Sequence, residues 1–371
     1  MSYLPFTRPT LDEDTIQGVV ETLRSGWLAS GPQVQAFEAA LSDYLGGRPV
    51  RAFTSATGAL EVALQVCGIG PGAEVITPAM SFAATPNVIL RVGARPVFVD
   101  VDLNSRNIDL NRVEAAITPK TRAIMPVHFA GLPLDMDALY ALAGKHGLRV
   151  IEDAAHAIGS AWKGRKIGSF GDIVSFSFHP NKNMTTIEGG ALCLTDPDEI
   201  KRMELLRFHG QAKDEEGNQD VLLAGGKYNL SDVAARVGLG QLRQLDGFNA
   251  RRGELAARYF ERFPAAPPCL LPRREAGHSW HMFAPLIPFE QLGITRQQFV
   301  KAMHQREIGV GIHYPALHLF SLYRQLGYRE GDFPHAERIG RETVTLPLFP
   351  AMEFADVDRV CQALGEILGG A

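Results

Sequence analysis

Through the first half of the chain, short apolar runs alternate with stretches whose apolar residues recur every three or four positions. The runs at 50–55, 74–77, 96–101, 123–128, 149–153, 172–178 and 190–195 are bounded by Gly, Pro or charge. Helix-length stretches lie between several of them, among them 57–66, 83–90 and 136–146. Strands that are apolar along most of their length, alternating with helices, predict an α/β fold. Its large domain is a mainly parallel seven-stranded sheet covered on both faces. Ligands of such sheets sit beyond the carboxyl ends of strands, so chemistry is expected in the segments that follow each run. Further along, Ser231 predicts an N-cap opening a helix over 231–245, and a second helical pattern follows at 249–263. A Pro-rich stretch at 264–272 precedes a new α+β rhythm at 280–288, 296–306 and 310–313. The expected division is a large domain over 1–248, with an N-terminal arm, and a smaller α+β domain over 249–371.

Composition narrows the possibilities by exclusion. A formal net charge of −4 gives no reason to expect nucleic acid or an anionic membrane as partner. No apolar run is long enough to predict a transmembrane helix. The opening MSYLPFTRPTLDEDT lacks the basic-then-apolar pattern of a secretory leader. Cys67, Cys193, Cys269 and Cys361 stand apart, with no C-x-x-C pair, so neither zinc nor a disulfide framework is implied. Reduced thiols in a cytoplasm are the expectation.

Four segments after strand ends carry candidate chemistry. In SFSFHPNKNMTTIEGG, Lys182 follows a strand and two glycines close the segment. A lysine amine held there can form a Schiff base with a carbonyl cofactor, although a solvated loop lysine reads the same way. In VIEDAAHAI, Asp153 at a strand end can pair with a protonated pyridine nitrogen, or can simply cap a helix. His156 can bond a ring hydroxyl or be an ordinary satisfied histidine. In FTSATGALEVAL, a strand runs through small residues into a helix, and the backbone of Ala56, Thr57 and Gly58 could cradle a phosphate. Phe82, in TPAMSFAATP, can stack on an aromatic ring or belong to the core. Each signal is weak alone. In combination and in this order they match what a pyridoxal 5'-phosphate (PLP) enzyme needs.

The chain resembles the DegT/DnrJ-type sugar-nucleotide aminotransferases, of PLP fold type I, along nearly its whole length. SGWLASGP, GPGAEVITPAMSF, GARPVFVDVD, AIMPVHFAGLPLDMDAL, VIEDAAHAIGS, KYNLSDVAARVGLGQL, HSWHMF and TLPLFP carry the likeness together with the lysine segment. The resemblance implies a homodimer with active sites at the interface. It implies Lys182 as the Schiff-base lysine, Asp153 as the pyridine partner and His156 at the ring oxygen. Thr57, Gly58 and Ser177, with Ala56 through its backbone, would hold the phosphate, and Phe82 would stack on the ring. Asn229 would reach the neighbouring subunit's phosphate. Two departures are visible: Ala56 stands where many members have Gly, and His156 where many have Gln. LPFTRP, EDAAHA and IGVGIHYPALH make the chain most similar to the UDP-4-amino-4-deoxy-L-arabinose aminotransferase branch, with His313 and His318 near the substrate. His179, Tyr314 and Tyr323 are further polar or aromatic candidates for substrate contact. The implied reaction is ping-pong transfer of an amino group from L-glutamate to a keto-sugar nucleotide. The rivals are a transaminase for non-sugar amines or ketones, a same-fold dehydratase, which would carry histidine in place of Lys182, and a PLP-binding regulator.

Overall fold

Seven strands form one sheet: β1 (Val50–Phe53), β2 (Glu74–Pro78), β3 (Arg95–Val99), β4 (Thr121–Ile124), β5 (Arg149–Asp153), β6 (Ile173–Ser177) and β7 (Gly190–Cys193). In this computed structural model, which describes residues 2–369, their order is β1-β7-β6-β5-β4-β2-β3. Only β7 runs antiparallel to its neighbours, so the mainly parallel sheet expected from the strand–helix alternation is present.

Successive strand residues serve opposite faces, and both faces are apolar because both are covered. Val75, Ala123, Ile151, Ile173 and Leu192 join a core that includes Leu60 and Ala63 of α3 (Ala56–Val66), Ile89 of α4 (Ala84–Arg91) and Met203 of α6 (Pro197–Arg207). Their neighbours Ile76, Ile124, Val150, Val174 and Cys193 join the opposite core. There they meet Phe37 of α2 (Pro32–Tyr44), Leu139 of α5 (Met136–His146) and Leu245 of α7 (Asp232–Arg262). In the run at 123–128 the regular strand ends at Ile124, since Pro126 has no N–H to give a ladder, but the chain stays bonded to its neighbours: Met125 N–H donates to Ile76 O at 2.7 Å, and Pro126 O accepts the Asp153 N–H at 2.9 Å. Met125, Val127 and Phe129 are nonetheless buried, which is why the sequence stays apolar there.

The helical patterns expected separately at 231–245 and 249–263 are one helix, α7, of 31 residues, capped by Ser231. Its first half packs on the sheet. Its second half gives Leu255, Ala256 and Tyr259 to a separate core built with Phe299 of α8 (Arg296–Gln305) and Val357, Val360 and Leu364 near the C-terminus. Leu4, from the N-terminal arm, packs in that second core and bridges to Ile308. Among the described residues, no helix is long and apolar enough to cross a membrane, and no cluster of His, Cys, Asp or Glu is placed to hold a metal ion.

Candidate active site

The carboxyl ends of β1, β2, β4, β5 and β6 surround a cavity of about 290 Å³, as the fold requires of a ligand site. Asp153 ends β5 and is buried at its floor. Its Oδ1 accepts the Ala155 N–H at 3.1 Å and its Oδ2 accepts the Thr85 hydroxyl at 2.8 Å. Burial pushes its carboxyl up, opposed first by Thr85, then by the Ala155 amide and the Lys182 amine. A carboxylate so placed calls for a cation or a proton on its open side.

Lys182 lies five residues past the end of β6, in a turn closed by its own N–H donating to His179 O at 2.8 Å. The side chain is half-buried and lines the cavity. Burial lowers its amine to about 8, partly offset by Asp153. The neutral amine is therefore accessible far below the ordinary lysine range.

At the start of α3, Ser55 is the N-cap and its Oγ accepts the Gly58 N–H at 3.1 Å. Ala56 and Thr57, the first two residues of the helix, line the cavity with Ser177 opposite. The helix end offers N–H groups and positive potential to an anion. Its backbone lies hard against β7: a Cβ on Gly190 would sit 2.4 Å from Ala56 N.

His156 is buried. Its Nδ1 accepts the Ala130 N–H at 3.3 Å, and burial, then Lys182 and His313, push its pKa well below the usual histidine value. The neutral ring therefore carries its proton on Nε2, which donates to the Tyr314 hydroxyl oxygen at 3.2 Å. Phe82, largely exposed, meets Tyr314 with ring centroids 6.0 Å apart. His313 holds Thr345 Oγ1 at 2.8 Å, and burial lowers it to about 4.

Ten of the expected residues thus share one cavity wall: Ala56, Thr57, Phe82, Asp153, His156, Ser177, His179, Lys182, His313 and Tyr314. Three do not. Gly58 has given its N–H to Ser55, and its lack of a side chain instead makes room for the Tyr228 ring, which a Cβ there would meet at 2.8 Å. His318 is fully buried against Glu337, Nε2 to Oε1 3.0 Å, so it is a core histidine away from the cavity. Asn229 lines a separate open depression with Thr186, Ile187 and Glu188, and donates to Ser30 Oγ. Tyr323, buried, bonds Asn87 Oδ1 at 2.7 Å. The expectations also missed Thr85 and Ser81. The i, i+4 pair of hydroxyls in SFAAT was the available signal.

A buried carboxylate, a helix end open to an anion and a lysine of lowered basicity around one cavity are what the cofactor site of a PLP-dependent aminotransferase requires. The chain belongs to the DegT/DnrJ/EryC1/StrS aminotransferase family, whose model matches residues 9–365. It is 41% identical to the spore coat polysaccharide biosynthesis protein SpsC of Bacillus subtilis, over all of this chain and 98% of that one. Spr1654 of Streptococcus pneumoniae, solved in PLP and PMP forms, superposes with a TM-score of 0.93 at 32% identity, covering 99% of each chain. PseC of Helicobacter pylori, an aminotransferase involved in the biosynthesis of pseudoaminic acid, gives 0.94 at 28% identity over the whole of both chains. The cofactor is pyridoxal phosphate.

Proposed function

We propose that this enzyme moves an amino group from L-glutamate to a keto-sugar nucleotide of the UDP-4-keto-pentose kind, in two half-reactions that share one lysine. The observation that carries the reading is the meeting of the buried Asp153 carboxylate and the low-basicity Lys182 amine in one cavity. PLP supplies an aldehyde that condenses with amines and a cationic ring that spreads the charge left by a departing proton. Asp153 keeps the ring nitrogen protonated by opposite charge and hydrogen bonding. Ala56, Thr57 and Ser177 take the phosphate. With PLP bound, His156 would give the ring oxygen the Nε2–H it now shares with Tyr314, and Phe82 would cover a ring face. Lys182, as base and then acid, would take the α-proton of the amino donor and return it on the far side of the nitrogen, to the carbon that was the cofactor's aldehyde. His179, His313 and Tyr314, at the same cavity, are the proposed contacts to the sugar nucleotide. The part SpsC plays in polysaccharide biosynthesis supports a sugar acceptor. The working unit is a homodimer, with Asn229 of each copy reaching the phosphate held by the other.

The test is to incubate enzyme, PLP, L-glutamate and a UDP-4-keto-pentose and follow the amino-sugar nucleotide by mass spectrometry. Product formation with parallel double-reciprocal lines is expected. Turnover of simple ketones with none of the nucleotide sugar would overturn the acceptor class, and intersecting lines would overturn the two half-reactions.

A further inference from the structure

Asp153 does not hold its own orientation. Its Oδ2 accepts the Thr85 hydroxyl proton at 2.8 Å, and Thr85 Oγ1 lies 2.9 Å from Ser81 Oγ. A threonine hydroxyl has one proton, and it is committed to the carboxylate. Ser81 must therefore be the donor in the second bond, so the chain of protons runs Ser81 to Thr85 to Asp153. All three side chains are buried. Ser81 also lines the cavity, whereas Thr85 is one turn along and closed off behind it. Hydrogen bonds in such a chain polarise one another, and a low-dielectric setting makes each worth more than in water.

We propose that Thr85, braced by Ser81, is a positioning residue for the cofactor: it fixes the Asp153 carboxylate as an ionised acceptor with its open side toward the pyridine nitrogen. The proposal rests on PLP as the cofactor. With Oδ1 tied to the Ala155 amide and Oδ2 to Thr85, the carboxylate cannot rotate away from the cavity without breaking a bond to a charged group. The titratable groups facing Asp153 are Lys182 and His128, from the loops after β6 and β4, and Tyr314 from the C-terminal part, with His156 on its own loop. Lys182 and His128 favour its ionised form, as Thr85 does, while Tyr314 contributes no positive charge.

The experiment compares wild type with Thr85→Val, Thr85→Ser and Ser81→Ala, stripped of cofactor and titrated with PLP while the absorbance spectrum is recorded across pH. Thr85→Val keeps the shape and removes the proton, so PLP binding should weaken by roughly ten- to a hundred-fold, the range for one lost hydrogen bond to a charged group. The pH at which bound PLP changes colour should move, and kcat with L-glutamate should fall more than KM changes. Thr85→Ser restores all three. Ser81→Ala weakens binding by less, because Thr85 keeps its own bond. Wild-type binding and spectra in Thr85→Val, or no rescue by serine, overturn the proposal. Should Thr85→Val fail to fold, a Ser81→Ala variant indistinguishable from wild type overturns it equally. Failure of the PLP assignment would show differently, as a wild-type protein that takes up no cofactor.

Discussion

Lys182 is the residue on which the account turns, and its environment makes a pH statement. The amine must be neutral to attack the PLP aldehyde. Burial lowers it to about 8, so the neutral form becomes abundant more than two pH units below the ordinary value near 10.4. The rate at which cofactor-free enzyme takes up PLP should rise about tenfold per unit below pH 8 and level off above it. A rate still climbing steeply between pH 9 and 10 would mean an ordinary, solvated lysine. Asp153 and Lys182 were singled out in the sequence only in combination, since a loop lysine or a helix-capping carboxylate reads the same way alone; their order with the phosphate turn and the stacking aromatic, and the family resemblance, drew attention to them. Thr85 was not, because its role depends on α4 lying across the end of β5, 68 residues away in the chain. His318 misled for the complementary reason: a histidine in a motif looks the same whether it faces a ligand or, as here, Glu337 in the core.

At the scale of elements, the anion cradle depends on β7 and α3 touching backbone to backbone. The antiparallel pairing of Phe53 with Gly190 brings the strand against the first turn of α3. A Cβ at Gly190 would meet Ala56 N at 2.4 Å and Ser55 C at 2.5 Å, neither of which is the movable tip of a side chain. Gly190→Ala should cost about 1–3 kcal/mol of stability through overpacking and should weaken PLP binding, because the cradle must shift. Thermal unfolding together with a PLP titration checks both, and unchanged values would show that α3 can yield there. The strands were legible because fully covered parallel strands are apolar nearly throughout. Helix α1 (Glu13–Ser25) is absent from the expected elements although Asp12 caps it and Ile16, Val19, Val20 and Leu23 stand at helical spacing; what no stripe reveals is that its buried face is Thr15, Gly18 and Thr22, packed so closely on α7 that a Cβ on Gly240 would sit 1.9 Å from Thr15 Oγ1. The continuity of α7 was hidden by Asp246, Gly247 and Asn249, which read as an interruption in sequence and sit without strain in a long helix anchored at both halves.

For the whole molecule, the proposed reach of Asn229 into a neighbouring copy's site has a sharp consequence. If Asn229 serves the neighbouring copy's site, a mixed dimer of Lys182→Ala and Asn229→Ala chains has one site with both lesions and one with neither. Random mixing of two inactive variants should then restore about a quarter of wild-type activity, as two-fold symmetry requires. No recovery on mixing would mean that Asn229 acts within its own chain or not at all. The exposed Trp27, Leu28, Ile187 and Leu222 are the apolar side chains such a dimer would cover.

The most direct test of the central claim is the absorbance spectrum of the purified enzyme with PLP, before and after L-glutamate, beside Lys182→Ala. The account predicts a yellow band from PLP joined to Lys182 in the wild type, bleached by L-glutamate, and neither the lysine-linked band nor turnover in the variant. A wild type without that band, or a variant that shows it and turns over as the wild type does, would contradict the assignment of Lys182 as the residue that binds the cofactor and moves the proton.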